Sequence, residues 1–466
     1  MGPAADDGAM GLNEDRLPAD EAAGLPARRF AFSLVSRVLD QRVTLDEASQ
    51  ALAKVAERME QRDSAFGRAI AYAALRHKGS LEVLLARFVE KPLPAHGLAA
   101  TRVLLCGAAE LMILEGKAHA AVDGANRLAV ATREAKPFKP LINAVLRRLA
   151  REGAEIYAAL DRGSWDTPDW LWQRWVAAYG LEAAKGIAMA HGSPAPLDLT
   201  IREPHLRAYW REMLEGQSVG AGTIRLGKTA LVETLAGFDE GAWWVQDAAA
   251  AIPAQVLLSL IGEAVGKTLI DLCAAPGGKT MQLAASGAEV IAVDSSSPRL
   301  RRVTDNLGRT QLKARLVAAD ARTWRPDQPV DGILLDAPCS ATGTIRRHPE
   351  LPWIRDAGSI NRNAAVAADL MDAAWEMLRQ GGVLTFAVCS LEPEEGEAQL
   401  EAFLARHGDA AVETLDPAAF SLPAEASVQG GLRILPSMMA GQGGMDGFFI
   451  AALRKVSGVA ATFSEG

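Results

Sequence analysis

Two cysteines, Cys339 and Cys389, each stand directly after an apolar run that reads as a buried strand. One closes Asp336-Ala-Pro-Cys339 and the other sits in Val388-Cys389-Ser390. Upstream, Asp271-Leu-Cys-Ala-Ala-Pro-Gly-Gly-Lys279 sets a glycine turn between a strand and a helix. Carbon 5 of a pyrimidine is a poor nucleophile. A thiolate adding to carbon 6 makes the ring enamine-like, and carbon 5 can then attack an electrophilic methyl group. A ligand-binding turn followed by two thiols at strand ends is the equipment that reaction needs. On chemistry alone, either sulfur could be the attacking one.

The residues around these three points extend the reading. Glycines in the turn allow close backbone approach, and the next helix offers unpaired amides. The run is neither G-x-x-x-x-G-K-[ST] nor G-x-G-x-x-G, which disfavours a phosphate cradle and a dinucleotide. Lys279 is read as a helix N-terminal or turn-stabilising residue. Asp294 ends a second strand, where a carboxylate would hold a ribose diol; the alternative is a helix N-terminal acid. Arg299, a little further on, could lean over a nucleoside. Asp320 would accept from an adenine amino group or be a surface acid. Thiolate addition drives electron density into the ring, so a proton or hydrogen bond at N3 lowers the barrier, and Asp336 is placed to supply it if its pKa is raised. Otherwise Asp336 bonds the glycine turn. Pro338 fixes the backbone that aims Cys339. Arg346 and Arg347 follow in a loop and are expected to clamp phosphate beside an extruded nucleotide, with His348 structural.

Something must hold these groups together. Thr268–Leu272, Glu289–Asp294, Arg315–Ala318, Gly332–Asp336 and Val383–Val388 read as strands alternating with helices, the clearest from Ser359 to Arg379. The expected fold is α/β, a Rossmann-like doubly wound parallel sheet whose ligands collect at the carboxyl ends of strands. It should span residues 241–456. Before it, residues 25–160 show helical periodicity, as in Leu34, Val35, Val38 and Leu39, and predict an all-α domain of six or seven helices. Residues 161–240 read as a small α+β module, with strand-like runs at Leu197–Ile201 and Ala230–Leu235. Trp165, Trp170, Trp172 and Trp175 crowd its start and are expected to pack rather than to stack on bases. Residues 1–24 and 457–466 read as tails.

Composition narrows the class. The net charge of −8 argues against indiscriminate nucleic-acid binding. A local basic face is still available from Arg133 to Arg151, which holds Lys136, Lys139 and Arg147. The four cysteines have no zinc spacing, so no metal is expected, and Cys106 reads as a small buried apolar residue. The chain shows no long apolar run, and its acidic start lacks a signal core. A cytoplasmic location is expected.

Three stretches together resemble the bacterial RsmB (also called Fmu) family: Asp271–Lys279, Asp336–Pro349 with its Cys-Ser-Ala-Thr-Gly-Thr-Ile-Arg-Arg-His run, and Val388-Cys-Ser-Leu-Glu-Pro-Glu-Glu395. Arg433–Pro436 and Asp446–Ile450 are similar to the family's closing strands. Gly67–His77 and Ile142–Arg147 resemble the NusB-like RNA-binding domain that precedes it. The family's members are S-adenosylmethionine-dependent 16S rRNA cytosine-C5 methyltransferases. The resemblance implies that Cys273, Ala274, Ala275, Pro276, Gly277, Gly278 and Lys279 enclose the methionine part of the cofactor. It assigns Asp294 to the ribose, Asp320 to the adenine, and Asp336 to the space between cofactor and base. It makes Cys389 the nucleophile and Cys339 the group that assists release. The partner would be 16S ribosomal RNA or a small-subunit precursor, and the chain a monomer. Val388 departs from the threonine frequent in the family, so a hydroxyl is lost there. A tRNA substrate, or a non-catalytic assembly factor, are the competing readings.

Overall fold

The computed structural model describes residues 24–227 and 231–457. Apart from Gly24 and Ser457, the expected tails lie outside these residues. The chain forms two compact units, Met1–Leu160 and Asp161–Gly466.

The first unit is all helical in its described residues. Its helices are Leu25–Gln41, Leu45–Ala51, Ala53–Glu57, Gln61–Arg76, Lys78–Ala86, Leu98–Met112, Ala118–Ala131 and Lys139–Ala158. That is eight rather than six or seven, because a short pair split at Leu52 follows the first long helix. Thr44 opens the pair with a capping box closed by Glu47. Of the predicted stripe, Leu34, Val35 and Val38 are core and Leu39 is partly buried; Cys106 is buried as well. Burial pushes the Cys106 thiol up to about 12, which suits an inert filler. A buried ion pair, Arg28 with Glu110, crosses the bundle. Gly124 lets it cross, since a Cβ there would fall 2.2 Å from Arg28 Nε.

The second unit opens with helices Arg162–Trp165, Asp169–Tyr179 and Leu181–His191, followed by a four-stranded antiparallel sheet of β1 (Leu197–Ile201), β2 (Gln217–Val219), β3 (Thr223–Leu226) and β4 (Trp243–Val245), in the order β2-β3-β1-β4. This sheet runs past residue 240. The strand expected at Ala230–Leu235 is absent from its described part, where Val232–Thr234 form a 3₁₀ turn; Ala230 lies outside the described residues. Alternating apolar residues fit an irregular connection as well as a strand when no partner strand is at hand.

The second sheet holds β5 (Thr268–Leu272), β6 (Glu289–Asp294), β7 (Arg315–Ala318), β8 (Val330–Asp336), β9 (Leu378–Val388), β10 (Ala410–Val412), β11 (Ser427–Val428), β12 (Gly431–Ile434) and β13 (Phe448–Lys455). Its order is β11-β12-β13-β9-β8-β5-β6-β7, with β10 on β13. The strands from β5 to β9 pair in parallel, and β13 adds to β9 antiparallel. The doubly wound sheet is therefore mixed at one edge. Continuous apolar runs make the central strands: Ile333, Leu334 and Leu335 are wholly buried, as expected when helices cover both faces. The helix Ala357–Met377, capped by Asp356, lays Met371 and Trp375 against Phe386 and Phe449. This core fixes where β8 and β9 end.

Candidate active site

Parallel pairing of β8 and β9 sets Asp336 opposite Ala387, and Ala337 N donates to Ala387 O at 2.9 Å. The two chains thus leave the sheet side by side. Cys339 and Cys389 follow within a few residues, and their sulfurs lie 3.5 Å apart. Their approach drives the Cys339 pKa well above the ordinary thiol value, through the hydrogen bond to Cys389, then burial, then the neighbouring sulfur's charge. Val388, where the family often has threonine, is fully buried in the Phe386–Phe449 cluster.

The loops beyond the sulfurs are tied by residues that pattern reading missed. Ser340 N and Ser340 Oγ both donate to buried Glu395, at 2.8 and 2.5 Å. The Ser340 and Ser390 hydroxyls meet at 3.1 Å, and Gly343 N donates to Cys389 O at 3.0 Å. Fully buried Glu392 accepts from Arg174 Nε and from Trp175 Nε1 at 3.2 Å. Tyr179 donates its hydroxyl to Leu391 O, and Arg433 Nη1 donates to Ser390 O at 2.5 Å. The tryptophan segment packs in part: Trp175 is buried and Trp170 Nε1 reaches Pro352 O at 3.4 Å, whereas Trp165 is exposed. The only sequence trace of this scaffold is Glu-Pro-Glu-Glu, an acidic run that ordinarily signals a solvated face.

On the neighbouring strand ends, Cys273 takes a left-handed φ of 61° and Gly277 one of 105°, bending the chain between β5 and the helix Gly278–Ala285. Asp271 is buried. Its Oδ2 accepts from Thr280 at 2.5 Å, and burial raises its pKa to about 7. Lys279 Nζ bonds Asp336 Oδ2 at 2.7 Å and lies 5.5 Å from the centre of the Phe448 ring. Burial works against its charge, yet the Asp336 carboxylate holds its pKa above the usual value. Asp294 is buried, accepting from Ala275 N at 3.2 Å and Ser296 N at 2.9 Å, with Arg299 Nη1 at 3.6 Å. Arg299 Nη2 donates to Ala275 O at 2.8 Å. Asp320 is partly exposed and chelated by Arg322, whose hydrogen bonds hold its pKa below the carboxylate range.

These residues fit a cationic nucleoside ligand. Asp271, Asp294 and Asp336 gather around Cys273 with the Lys279 ammonium and the half-exposed Arg299 guanidinium as counter-charges, and Oδ1 of both Asp271 and Asp336 is buried without a partner. An excess of buried acceptors suits a ligand bearing a sulfonium and an ammonium.

Comparison with known proteins agrees with the geometry. Residues 260–454 match the family model for 16S rRNA methyltransferase RsmB/F, and residues 25–151 match the NusB family. Ribosomal RNA small subunit methyltransferase B of Vibrio cholerae is 36% identical over 448 residues, 92% of this chain and 97% of that protein. Its Pseudomonas putida counterpart is 36% identical over 421 residues, 86% and 92% of the two chains. The chain belongs to the RsmB/F methyltransferase family. It is an rRNA small-subunit methyltransferase of an S-adenosylmethionine-dependent family. The solved structure of PH0851 matches the fold at a TM-score of 0.71 and 20% identity, over 95% of this chain and all of that one. NSun6 from Pyrococcus horikoshii, solved with SFG, matches 62% of this chain and 98% of its own at a TM-score of 0.51 and 21% identity.

Within this RsmB/F fold the arginines after Cys339 part company. Arg346 does not stand as a phosphate clamp. It is 2% exposed, donates to Asp247 Oδ2 at 3.2 Å and Gly443 O at 3.0 Å, and lies 3.3 Å from Asp446 Oδ1. Both carboxylates are about a hundred residues away in sequence, so the loop alone reads as solvated. Burial lifts Asp446 to about 6 despite the Arg347 beside it. Arg347 pairs with Asp446 yet keeps an exposed edge. In the helical unit, Lys136, Lys139 and Arg147 are all exposed, Arg147 bonding Asn143 at 3.1 Å. Among the described residues no helix is long and apolar enough to cross a membrane.

Proposed function

We propose that this enzyme methylates carbon 5 of a cytosine in 16S ribosomal RNA through a transient bond between Cys389 Sγ and carbon 6. The observation that carries the reading is the pair of sulfurs 3.5 Å apart at adjacent strand ends. When bound, S-adenosylmethionine supplies the electrophilic methyl group. Cys273 to Lys279, Asp294, Arg299, Asp320 and Asp336 would hold it.

The raised Cys339 pKa supports an order of events. The family resemblance assigns the nucleophile to Cys389, and the raised Cys339 pKa supports keeping Cys339 protonated at that stage. As Cys389 adds to carbon 6, electron density moves toward carbon 5 and N3. The Asp336–Lys279 pair, at 2.7 Å, would offer a proton at N3 and take it back as the ring regains its C4=N3 bond. Once Cys389 is a thioether it no longer charges its neighbour, so the Cys339 pKa falls and its proton leaves to solvent. Cys339 thiolate then takes the carbon-5 proton. That C–H electron pair forms the C5=C6 bond and expels Cys389 as thiolate. The base must come from a loop or be turned out of its stack. Exposed Lys136, Lys139 and Arg147, together with Arg347, are assigned to RNA phosphates.

Cys389→Ser should give no product. Cys339→Ser should accumulate a protein–RNA adduct, seen as a retarded band on a denaturing gel. Normal turnover by Cys339→Ser without an adduct would reverse the assignment. Tandem mass spectrometry of nucleosides from 16S rRNA, with and without the gene, tests the substrate; loss of 5-methylcytosine from tRNA instead would move it there.

A further inference from the structure

We infer that Glu395 is a positioning residue for both thiols: it staples the Cys339 loop to the Cys389 loop and so sets the separation on which adduct release depends. The inference rests on the roles given above to the two sulfurs.

Each residue that Glu395 draws together directly follows a sulfur. Ser340 comes after Cys339 and gives Glu395 two hydrogen bonds, N to Oε1 at 2.8 Å and Oγ to Oε2 at 2.5 Å. Ser390 comes after Cys389, and its hydroxyl lies 3.1 Å from that of Ser340. Ser390 and Asn363 also stabilise the charged carboxylate against burial. One acid thus holds the residue after the first thiol directly and reaches the residue after the second through the Ser340 hydroxyl.

The bland alternative is a loop acid that merely completes a turn. Glu395 N does close a turn on Glu392 O at 3.0 Å, but that bond uses the backbone alone. The helix Glu397–Arg406 begins at Gly396 with no side-chain cap, so the carboxylate is not spent there. It is 1% exposed, and the groups that bond it are neutral. Nearby Glu392 is as buried but has Arg174 for a partner. A carboxylate buried among neutral donors is costly, and a glutamine would fill the same space more cheaply. What a glutamine cannot do is accept on both arms. Only a carboxylate receives Ser340 N on one oxygen and Ser340 Oγ on the other. The charge also acts on Cys339 directly, adding to the forces that keep it protonated.

Glu395→Gln tests this with two readouts in the full-length protein. The first needs no RNA. Diamide oxidises the thiol pair to a disulfide, taking two electrons and two protons to become a hydrazine, and peptide mass mapping follows the Cys339–Cys389 link. With the staple cut, linking should slow about tenfold, because closure depends on how often the sulfurs meet. The second readout is turnover. The kcat should fall about 10- to 100-fold with KM held within about twofold, as expected when geometry and not binding is lost, and adduct should build up. Glu395→Asp should recover part of both, while Ser340→Ala should repeat both and add nothing to Glu395→Gln in the double variant. If Glu395→Gln does not fold, Ser340→Ala alone carries the test. Wild-type linking rates in either variant overturn the inference, and so does slowed linking with unchanged release. Failure of the wild-type enzyme to form any adduct would instead overturn the thiol roles, and the diamide rates would still judge the geometry.

Discussion

The carboxyl ends of the parallel strands fall into two halves that are held in different ways. Beyond β8 and β9, buried side chains do the holding: Glu395 on Ser340, Glu392 on Arg174, Arg433 on Ser390 O, and Arg346 between Asp247 and Asp446. Beyond β5, β6 and β7, the buried Asp294 carboxylate braces backbone amides, and Asp271 keeps a buried oxygen without a partner. Ala274 N bonds Val293 O, Ala275 N and Ser296 N bond Asp294, and the charged tips of Arg299 and Asp320 reach solvent. In the proposed reaction, the thiol half would keep two sulfurs at a fixed spacing while bonds to them form and break. The other half must admit a ligand and let its spent form go. Rigidity by buried charge suits the first task, and acceptors with spare capacity suit the second.

The contrast breaks most visibly at Arg346. Arg346→Met leaves Asp247 and Asp446 buried without their common cation, and should cost about 3–5 kcal/mol of stability in urea unfolding. RNA affinity of the folded fraction should not change. A stable variant with weakened RNA binding would return Arg346 to phosphate contact.

Asp294 sharpens the other side. Asp294→Ala removes an acceptor assigned to the ribose, and calorimetry with S-adenosylhomocysteine should show affinity about 10- to 100-fold weaker, the worth of hydrogen bonds to a charged group. Unchanged affinity would leave Asp294 as only a brace for Ala275 and Ser296.

A subtler effect is expected at Asp271, whose folded pKa of about 7 lies above the ordinary aspartate value. The folded state binds this proton more tightly, so the group's contribution to stability is full below about pH 4 and fades as pH rises through about 7. Asp271→Asn should therefore gain stability relative to wild type between pH 5 and 8, read as the difference in Tm across that range. A difference that stays flat with pH would show the carboxyl to be ionised throughout.

The sequence announced the sheet because its strands are short apolar runs ended by acids, glycines and cysteines, a pattern set by local burial. Thr268–Leu272 and Glu289–Asp294 emerge with the bounds they were given. β9 begins earlier than Val383, at Leu378, because pairing with Val330 carries it back past Gly381 and Gly382. Side-chain partners were less legible. Arg346 looks like any loop arginine until Asp247 and Asp446 arrive from opposite directions along the chain. Glu392 and Glu395 sit in an acidic run whose burial depends on Arg174 and Ser340. The antiparallel closing strands were marked by resemblance; their pairing on β9 is a matter of tertiary context.

The helix Asp169–Tyr179 has a consequence for how this catalyst could be shortened. The stretch matched by the RsmB/F model starts at residue 260, yet Arg174, Trp175 and Tyr179 reach forward to Glu392 and Leu391, just past Cys389. A truncation begun at residue 260 would strip Glu392 of its counter-ion and uncover the Cys389 loop. The smallest excisable piece able to keep that loop in place starts ahead of this helix, so the modest antiparallel module travels with the catalytic sheet as one inheritable part.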